Sequence, residues 1–248
     1  MLTLQNYKAL KKRICLWSSP RNISTALMYS FAQRSDTQVV DEPLYGHYLR
    51  VTGADHPGRD EIISSMESDG EKVISDIILG GFDSDVLFMK QMTHHLVEID
   101  RSFLSEVQNV LLIRDPKRII SSYHQVISSV NMNGIGVKMQ YELFNELNAR
   151  SIGVTVIDSG EILRDPGRAL QMLCESVGIE FQEEMLSWNA GPRPEDGIWA
   201  KHWYSNVHQT TGFAGGEINS REVPEQLRDL YEECLIYYRE LFNHSLRV

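Results

Sequence analysis

The chain has few cysteines, and the three that it has form no recognisable pattern. Cys15, Cys174 and Cys234 are far apart and odd in number, so the sequence offers neither a disulfide framework nor the paired spacing of a zinc site. No apolar run reaches the ~18 residues that a membrane-spanning helix needs. Residues 1–13 carry lysines and polar residues, without the apolar core of a signal peptide.

Basic residues are also in short supply. The chain has 24 Lys and Arg against 34 Asp and Glu, which gives a formal net charge of −10. Nucleic acids and heavily sulfated polysaccharides bind basic surfaces, so this balance argues against both as partners. We expect a small hydroxylated molecule as the partner, and neither nucleic acid nor a membrane. The sequence leaves the oligomeric state open.

The composition of the chain fits one α/β domain over residues 1–248, of which 42% are hydrophobic. Short apolar runs alternate with helical patterns, which predicts a parallel sheet with helices on both faces. The predicted strands span residues 14–18, 38–41, 85–91, 109–114 and 153–158. The predicted helices span residues 24–34, 59–68, 70–79, 116–130, 137–150, 164–177 and 224–242. Residues at about 187–220 lack periodicity and are expected to form an irregular, lid-like segment.

A polar turn between the first predicted strand and the next helix has the composition of a phosphate-binding loop. Backbone N–H groups in such a turn can surround a phosphate, and an arginine and hydroxyl groups add further donors. The turn contains no glycine and no lysine, so it is not a Walker A loop. An ordinary helix with a Ser or Thr cap fits the same residues equally well. The candidate phosphate ligands are Ser19, Arg21, Asn22, Ile23, Ser24 and Thr25.

A second strand-to-helix junction carries another candidate anion site. Arg114 ends the fourth predicted strand, and Ser122 lies two turns into the following helix. Both side chains could hold one phosphate above the junction, where open α/β sheets bind ligands. Asp115 and Pro116 also make an ordinary helix start, so a structural role explains this segment when it is taken alone.

Taken together, these segments resemble the sulfotransferase family, which uses 3′-phosphoadenosine 5′-phosphosulfate (PAPS). Residues 20–25 match four of the six positions of the family's 5′-phosphosulfate loop, and Arg114 and Ser122 reproduce the spacing of its 3′-phosphate site. Residues 158–166 look like the family's strand-to-helix segment that ends in Asp-Pro. Residues 193–201 resemble the late loop that closes over the nucleotide. The resemblance runs in order from about residue 14 to about residue 205.

The resemblance implies a three-layer, P-loop NTPase-like α/β fold. It also implies an enzyme that moves a sulfuryl group from PAPS to a hydroxyl of a small acceptor, with no metal ion. It implies that Arg21 stabilises the negative charge of the leaving group, and that Arg193 and Trp199 lie in the loop that closes over the nucleotide. A glycosylation sequon at residues 22–24 lies inside the phosphate loop, which indicates a cytoplasmic protein.

Two positions depart from the family's pattern. Ile23 stands where the family's loop has glycine, and a β-branched residue does not favour positive φ. The loop is therefore expected either to have ordinary backbone angles at this residue or to bind differently. Ser159 stands where a tyrosine is often found beside the adenine, so the sequence does not show how adenine is recognised.

Two side chains are candidates for the base that receives the proton of the acceptor. Several branches of the family place a glutamate where Glu42 stands, and Pro43 is expected to hold it in extended backbone geometry. His94 lies in a run that resembles the family's Lys-Thr-His segment, with two extra residues after Lys90. A histidine is basic without help, whereas a glutamate needs its pKa raised by burial. We rank Glu42 first and His94 second, with Lys90 as a further positive group.

Two other classes of function remain open from the sequence. A P-loop nucleotide phosphotransferase or kinase fits the fold but lacks the Walker lysine. A non-catalytic nucleotide-binding interaction protein is also compatible, because a fold does not determine a function. Ile23 in the loop is the residue that favours this second alternative.

Overall fold

A single six-stranded parallel sheet forms the centre of the fold. The computed structural model describes residues 11–123, 131–213 and 222–248. The strand order is β2-β3-β1-β4-β5-β6, and all neighbouring strands are parallel. The strands are β1 (Lys12–Ser18), β2 (Thr37–Asp41), β3 (Val86–Met92), β4 (Gln108–Ile113), β5 (Val154–Asp158) and β6 (Ser245–Leu246). The prediction of a parallel α/β sheet is confirmed, and only the two-residue strand β6 was missed.

Helices and single helical turns connect the strands. The α-helices are α1 (Ser24–Phe31), α2 (Tyr45–Thr52), α3 (Arg59–Ser65), α4 (Gly70–Lys72), α5 (Pro116–Tyr123), α6 (Met132–Ile135), α7 (Val137–Ala149), α8 (Ser159–Arg164), α9 (Pro166–Val177), α10 (Ala200–Trp203) and α11 (Arg228–Asn243). A π-helical turn at Val73–Ile78 continues α4. The 3₁₀ turns are Thr93–His95, Ser102–Glu106, Glu183–Leu186, Val207–Gln209 and Glu225–Leu227.

Helix boundaries differ from the sequence-based prediction at several points. The predicted helix 164–177 is wrong at its start, because α8 ends at Arg164 and the side chain of Asp165 caps α9 by accepting a hydrogen bond from the Arg168 N–H at 3.0 Å. Helix α2 was not predicted; it is only eight residues long and contains Gly46, a poor helix former. The predicted helix 116–130 is present as α5, and residues 124–130 lie outside the described residues.

The two faces of the sheet carry separate hydrophobic cores. Successive residues of a strand point to opposite faces, so Trp17 and Leu16 of β1 belong to different clusters. Trp17 belongs to the first cluster, which also contains Leu241 of α11, and Leu16 belongs to the second, which also contains Leu170 of α9. These helices on both faces form the three-layer arrangement that the sequence predicts.

The predicted irregular segment at about 187–220 is described as far as residue 213. It contains α10, one 3₁₀ turn and an isolated bridge between Ser187 and Gly212. Trp199 and Tyr204 pack with Tyr45 of α2 in a third hydrophobic cluster. This contact places the segment beside the carboxyl end of β2. Residues 214–220 lie outside the described residues, and a lid function stays a prediction.

The order of the strands determines where a ligand can bind. Connections from β1 lead to β2 and β3 on one side, whereas β4, β5 and β6 follow on the other. Open α/β sheets bind ligands where the strand order reverses in this way, beyond the carboxyl ends of the strands. Within residues 11–123, 131–213 and 222–248, no helix has the length and apolar character needed to cross a membrane.

Candidate functional site

A cavity of about 440 Å³ lies at the carboxyl ends of β1 to β4. It brings together residues that are distant in the sequence and that the sequence analysis singled out from four different segments. The predicted site residues in its lining are Arg21, Asn22, Ile23, Ser24, Thr25, Glu42, Lys90, His94, Arg114 and Ser122. The other lining residues are Pro20, Ala26, Tyr45, His56, Met92, His95, Trp203, Tyr204, Asn206, Val207 and Thr210.

The polar turn after β1 is held in place by its own side chains. The amide of Asn22 donates a hydrogen bond to the Leu112 carbonyl at 2.9 Å and accepts one from the Ile23 N–H at 2.9 Å. Ile23 has φ −92°, an ordinary value, and Arg21 instead takes the positive value of 56°. The left-handed residue of the turn is therefore an arginine, two positions before the place where the family has glycine.

A glycine on a neighbouring turn allows close approach to this loop. Gly136 has φ +77°, and a Cβ built on it would lie 3.1 Å from the Cβ of Ser19. Both the backbone angle and the contact favour glycine there. Ser19 itself is buried, and its hydroxyl has no partner among the described residues.

The two predicted phosphate sites converge at one point. The Nε of Arg21 donates a hydrogen bond to the Ser122 hydroxyl at 3.0 Å, and the Nη1 of Arg114 donates one to the Arg21 carbonyl. Burial lowers the pKa of Arg114, and the nearby Arg118 and Arg21 lower it further. The Nε of Arg114 is buried and has no partner among the described residues. Clustered guanidinium groups with an unused donor favour a bound anion.

A buried ionic cluster lies in another part of the same cavity lining. Lys90 forms ion pairs with Asp41, at 2.9 Å, and with Glu42, and it donates a hydrogen bond to the Tyr204 hydroxyl at 2.7 Å. Asp41 and Lys90 are directly paired in the register of β2 and β3, which explains their contact. The Asp41 carboxylate also accepts hydrogen bonds from the Tyr204 hydroxyl at 2.7 Å and from the Gly197 N–H at 3.2 Å.

Burial is the main influence on the charge of Glu42. It raises the pKa of this carboxyl group, Asp41 raises it further, and Lys90 lowers it, with a net upward direction. Burial opposes the charge of Lys90, but Asp41 and Glu42 raise the pKa of Lys90 well above its ordinary value. Lys90 is therefore charged at neutral pH, and Glu42 has a greater proton affinity than an exposed glutamate.

The expected backbone geometry of Glu42 is wrong. Its φ is +41°, in the left-handed region, although Pro43 was expected to hold it extended. Two backbone hydrogen bonds account for the difference: the Glu42 N–H donates to the Lys90 carbonyl at 2.8 Å, and the Glu42 carbonyl accepts from the Tyr45 N–H at 2.9 Å. These bonds form a tight turn from β2 into α2, and they outweigh the preference for extended backbone that Pro43 imposes on the residue before it.

Stacked aromatic rings and histidines line the cavity beside Glu42. His95 stacks on Tyr45 with ring centroids 5.0 Å apart, and its Nε2 lies 3.8 Å from a Glu42 oxygen. Burial lowers the pKa of His94 to about 4, and it lowers the pKa of His95 well below the ordinary value. Both rings are thus neutral at pH 7, and His94 is a weaker base than a free histidine.

Comparison with known proteins agrees with this arrangement. Residues 12–244 match the family profile described as a sulfotransferase domain. The chain belongs to the sulfotransferase domain family. It is 41% identical over 229 residues to branched-chain-amino-acid aminotransferase-like protein 2 of Arabidopsis thaliana, an alignment that covers 92% of this chain. The chain spans 41% of the length of that curated relative.

Solved structures show the same fold at low sequence identity. A sulfotransferase from Alicyclobacillus acidocaldarius superposes with a TM-score of 0.55 at 11% identity, covering 95% of this chain and 97% of that one. Mouse sulfotransferase SULT7A1 complexed with PAP superposes with a TM-score of 0.53 at 12% identity, covering 96% and 91% of the two chains. The three-layer sulfotransferase fold is thereby confirmed.

Three predicted nucleotide contacts of this sulfotransferase domain lie outside the cavity lining. Ser19, at the start of the loop, is buried and does not line the cavity. Arg193 pairs with Glu195 at 3.4 Å and lies over the ring of Tyr29. Trp199 packs edge-on against Tyr45 and donates a hydrogen bond to the Tyr204 hydroxyl at 3.2 Å. In this structure Arg193 and Trp199 support the late segment and do not face the cavity.

Sequence reasoning missed the residues that complete the acidic cluster of the sulfotransferase domain. Asp41 directly precedes Glu42, so two carboxylates beyond one strand end were a usable signal. Tyr204 lies in an aromatic run whose role is not readable from the sequence. Among the described residues, no group of three or more His, Cys, Asp or Glu side chains is placed to hold a metal ion.

Proposed function

We propose that this sulfotransferase domain transfers a sulfuryl group from PAPS to a hydroxyl group of a small acceptor. One observation carries the proposal: a single cavity is lined both by a cluster of guanidinium groups and by a buried carboxylate whose pKa is raised. The first suits a nucleotide with phosphates at two positions, and the second suits a base for the acceptor hydroxyl.

The guanidinium cluster supplies the donor site in this proposal. Arg114 and Ser122 bind the 3′-phosphate, and the unused Nε of Arg114 gives that phosphate a charge-assisted hydrogen bond. Residues 20–25, which line the cavity, surround the 5′-phosphosulfate with backbone N–H groups and hydroxyls. Arg21 lies between the two groups and stabilises the negative charge that develops on the departing bisphosphate.

The carboxylate supplies the base. The acceptor oxygen attacks sulfur, the bond from sulfur to the 5′-phosphate oxygen breaks, and the hydroxyl proton passes to Glu42. The electron pair leaves with adenosine 3′,5′-bisphosphate (PAP). Glu42 is favoured over His94 because burial moves their proton affinities in opposite directions: it raises the pKa of Glu42 and lowers that of His94 to about 4.

Nucleotide binding tests the donor site. We would measure the thermal shift of the purified domain with PAP, 5′-AMP and ATP, each with magnesium and with a chelator. PAP at 100 times its Kd should stabilise the domain by about 2.7 kcal/mol, with or without magnesium. Preferential binding of Mg-ATP would support a phosphotransferase. No shift with any nucleotide would support a non-catalytic interaction protein.

Transfer itself needs a second assay. A labelled-donor screen against small alcohols, phenols and sugars should give a sulfated product, with no loss of rate when metal is chelated. The sequon within the loop supports a cytoplasmic location, and the continuous sheet supports a single domain over residues 1–248.

A further inference from the structure

Asp41 and Tyr204 form a closed network with Lys90 at the edge of the cavity. We propose that Asp41 and Tyr204 are positioning residues for the base that takes the proton of the acceptor. They hold the Lys90 ammonium so that it fixes the position of the Glu42 carboxylate while its positive charge is shared with Asp41. This inference rests on the proposed function, because it assigns a role to groups that surround the base. Neither residue is proposed to touch the donor or the acceptor.

The hydrogen-bond capacity of Lys90 supports the proposal. An ammonium group has three N–H donors. Three acceptors lie within bonding distance of the Lys90 Nζ, namely Asp41 at 2.9 Å, the Tyr204 hydroxyl at 2.7 Å, and Glu42. Its donors are therefore all used inside the protein. Lys90 therefore organises the site and has no N–H donor left for the leaving group.

Charge balance distinguishes the part played by Asp41. The cluster holds one ammonium and two carboxylates, all buried. With Asp41 present, Glu42 shares the ammonium with a second anion and keeps a high proton affinity. With Asp41 neutral, Lys90 would serve Glu42 alone, and the carboxylate would become a weaker base.

Tyr204 links the network to the late segment. Its hydroxyl donates to Asp41 at 2.7 Å and accepts from both Lys90 and the Trp199 Nε1, so its polar atom is fully used. Gly197 N–H adds another bond from this segment to Asp41 at 3.2 Å. A satisfied buried network of this kind is rigid, whereas a partly satisfied one is costly. The late segment thereby contributes to the position of the base.

Other groups around Glu42 must be considered in any pH experiment. Its charged and titratable neighbours are Asp41, Lys90, His95, Tyr45 and Tyr204. His95 is neutral near pH 7, because burial lowers its pKa far below the ordinary value. The tyrosines are also neutral there, since burial raises the pKa of both above the ordinary value. Asp41 and Lys90 are therefore the neighbours whose charges affect the pKa of Glu42, and a change of charge at Asp41 should shift it.

The central experiment compares Asp41→Asn with Tyr204→Phe. Asn keeps the shape of Asp41 and removes its charge, so the acidic limb of the kcat profile should move to lower pH by about 1 unit. The plateau should fall roughly three- to tenfold, because a weaker base accepts a proton less readily. Phe removes a neutral hydroxyl, so kcat should fall while the limb stays in place. PAP binding should stay within about twofold of wild type in both variants.

Asp196→Asn is the matched control. Asp196 anchors the same late segment, accepting hydrogen bonds from the Tyr29 hydroxyl at 2.6 Å and pairing with His208 at 2.9 Å. It makes no contact with Lys90 or Glu42 in the described structure. If loosening of the segment explained the effects, Asp196→Asn would reproduce the shift of the acidic limb. We expect its limb to coincide with that of wild type.

A direct titration separates this inference from the proposed function. Carbon-13 NMR of labelled glutamate carboxyls reports the pKa of Glu42 whether or not the domain transfers sulfate. The resonance, assigned with Glu42→Gln, should titrate at lower pH in Asp41→Asn. That result without any transfer would reject the sulfotransferase proposal alone. An unchanged titration in folded Asp41→Asn, or wild-type kcat in Tyr204→Phe, would overturn the positioning role. If Asp41→Asn does not fold, the Tyr204→Phe result decides.

Discussion

Replacing Arg114 with alanine should remove the selectivity for a 3′-phosphate. The side chain has one buried donor without a partner among the described residues, and its neighbours are other guanidinium groups. A charge-assisted hydrogen bond of this kind contributes about 1.5–3 kcal/mol. At about 1.4 kcal/mol for each factor of ten, PAP should bind about 10- to 140-fold more weakly. The monophosphate 5′-AMP lacks the group that Arg114 holds, so its affinity should change only a few-fold.

Thermal shift converts this difference into a simple measurement. With PAP at 100 times the wild-type Kd, a loss of about 30-fold in affinity leaves the ligand at about three times Kd. Its stabilisation then falls from about 2.7 to about 0.9 kcal/mol. At about 2–4 °C per kcal/mol for a domain of this size, the shift falls from about 5–11 °C to about 2–4 °C. Calorimetry with PAP and 5′-AMP gives the two affinities directly.

The structure also defines the control for this experiment. Arg114 donates to the Arg21 carbonyl, so its removal also loosens the loop and weakens both nucleotides in part. Ser122→Ala leaves that backbone contact intact and should weaken PAP alone, by about 2- to 12-fold, which corresponds to a neutral hydrogen bond of about 0.5–1.5 kcal/mol. Equal losses of PAP and 5′-AMP in both variants would refute the assignment of this pair to the 3′-phosphate.

Three further predictions test the base, the leaving group and the pH dependence of stability. Glu42→Gln should bind PAP as wild type does and lose about 10²–10⁴-fold in turnover; near-normal turnover in this variant, with an inactive His94→Ala that still binds PAP, would make His94 the base. Arg21→Ala should reduce kcat more than the affinity for PAP, and calorimetry beside steady-state kinetics would show whether both fall equally, which the proposal does not allow. Burial raises the pKa of Asp158 from about 3.8 to about 6, so the folded protein binds this proton more tightly than the unfolded chain does, and the resulting stabilisation is complete below about pH 4 and is lost as the pH rises through 6. Urea unfolding from pH 4 to 7 should show a fall in the free energy of unfolding in wild type and a smaller fall in Asp158→Asn. Equal falls in the two proteins would contradict the burial argument.

The fold could be predicted from the sequence because the patterns that indicate its strands are local. Each strand of the sheet centre is a short run of apolar residues, and the observed strands start and end within two residues of the predicted positions. The positions of the phosphate loop and of Arg114 follow from the same runs, since both lie directly after a strand. Parallel strands then place these segments at one edge of the sheet.

The contacts of the buried ionic cluster around Lys90 could not be predicted in the same way. Lys90 and Tyr204 are 114 residues apart, and no local pattern indicates that the phenol accepts a hydrogen bond from the ammonium group. Helix α2 was missed because it is only eight residues long and contains Gly46, so its sequence carries a weak helix signal, whereas its packing in the cluster of Trp199 joins distant segments. The backbone of Glu42 followed two hydrogen bonds of the turn into α2, which outweighed the local preference that Pro43 imposes.

The left-handed backbone of Arg21 limits how far this protein can be made thermostable without loss of its site. A non-glycine residue in that region costs about 1–2 kcal/mol, and Arg21 has φ 56°. A screen that rewards melting temperature alone would therefore favour glycine at position 21, and the guanidinium group would be lost with the strain. Engineering for heat resistance should hold this position fixed and seek its gains on the opposite edge of the sheet, away from the cavity.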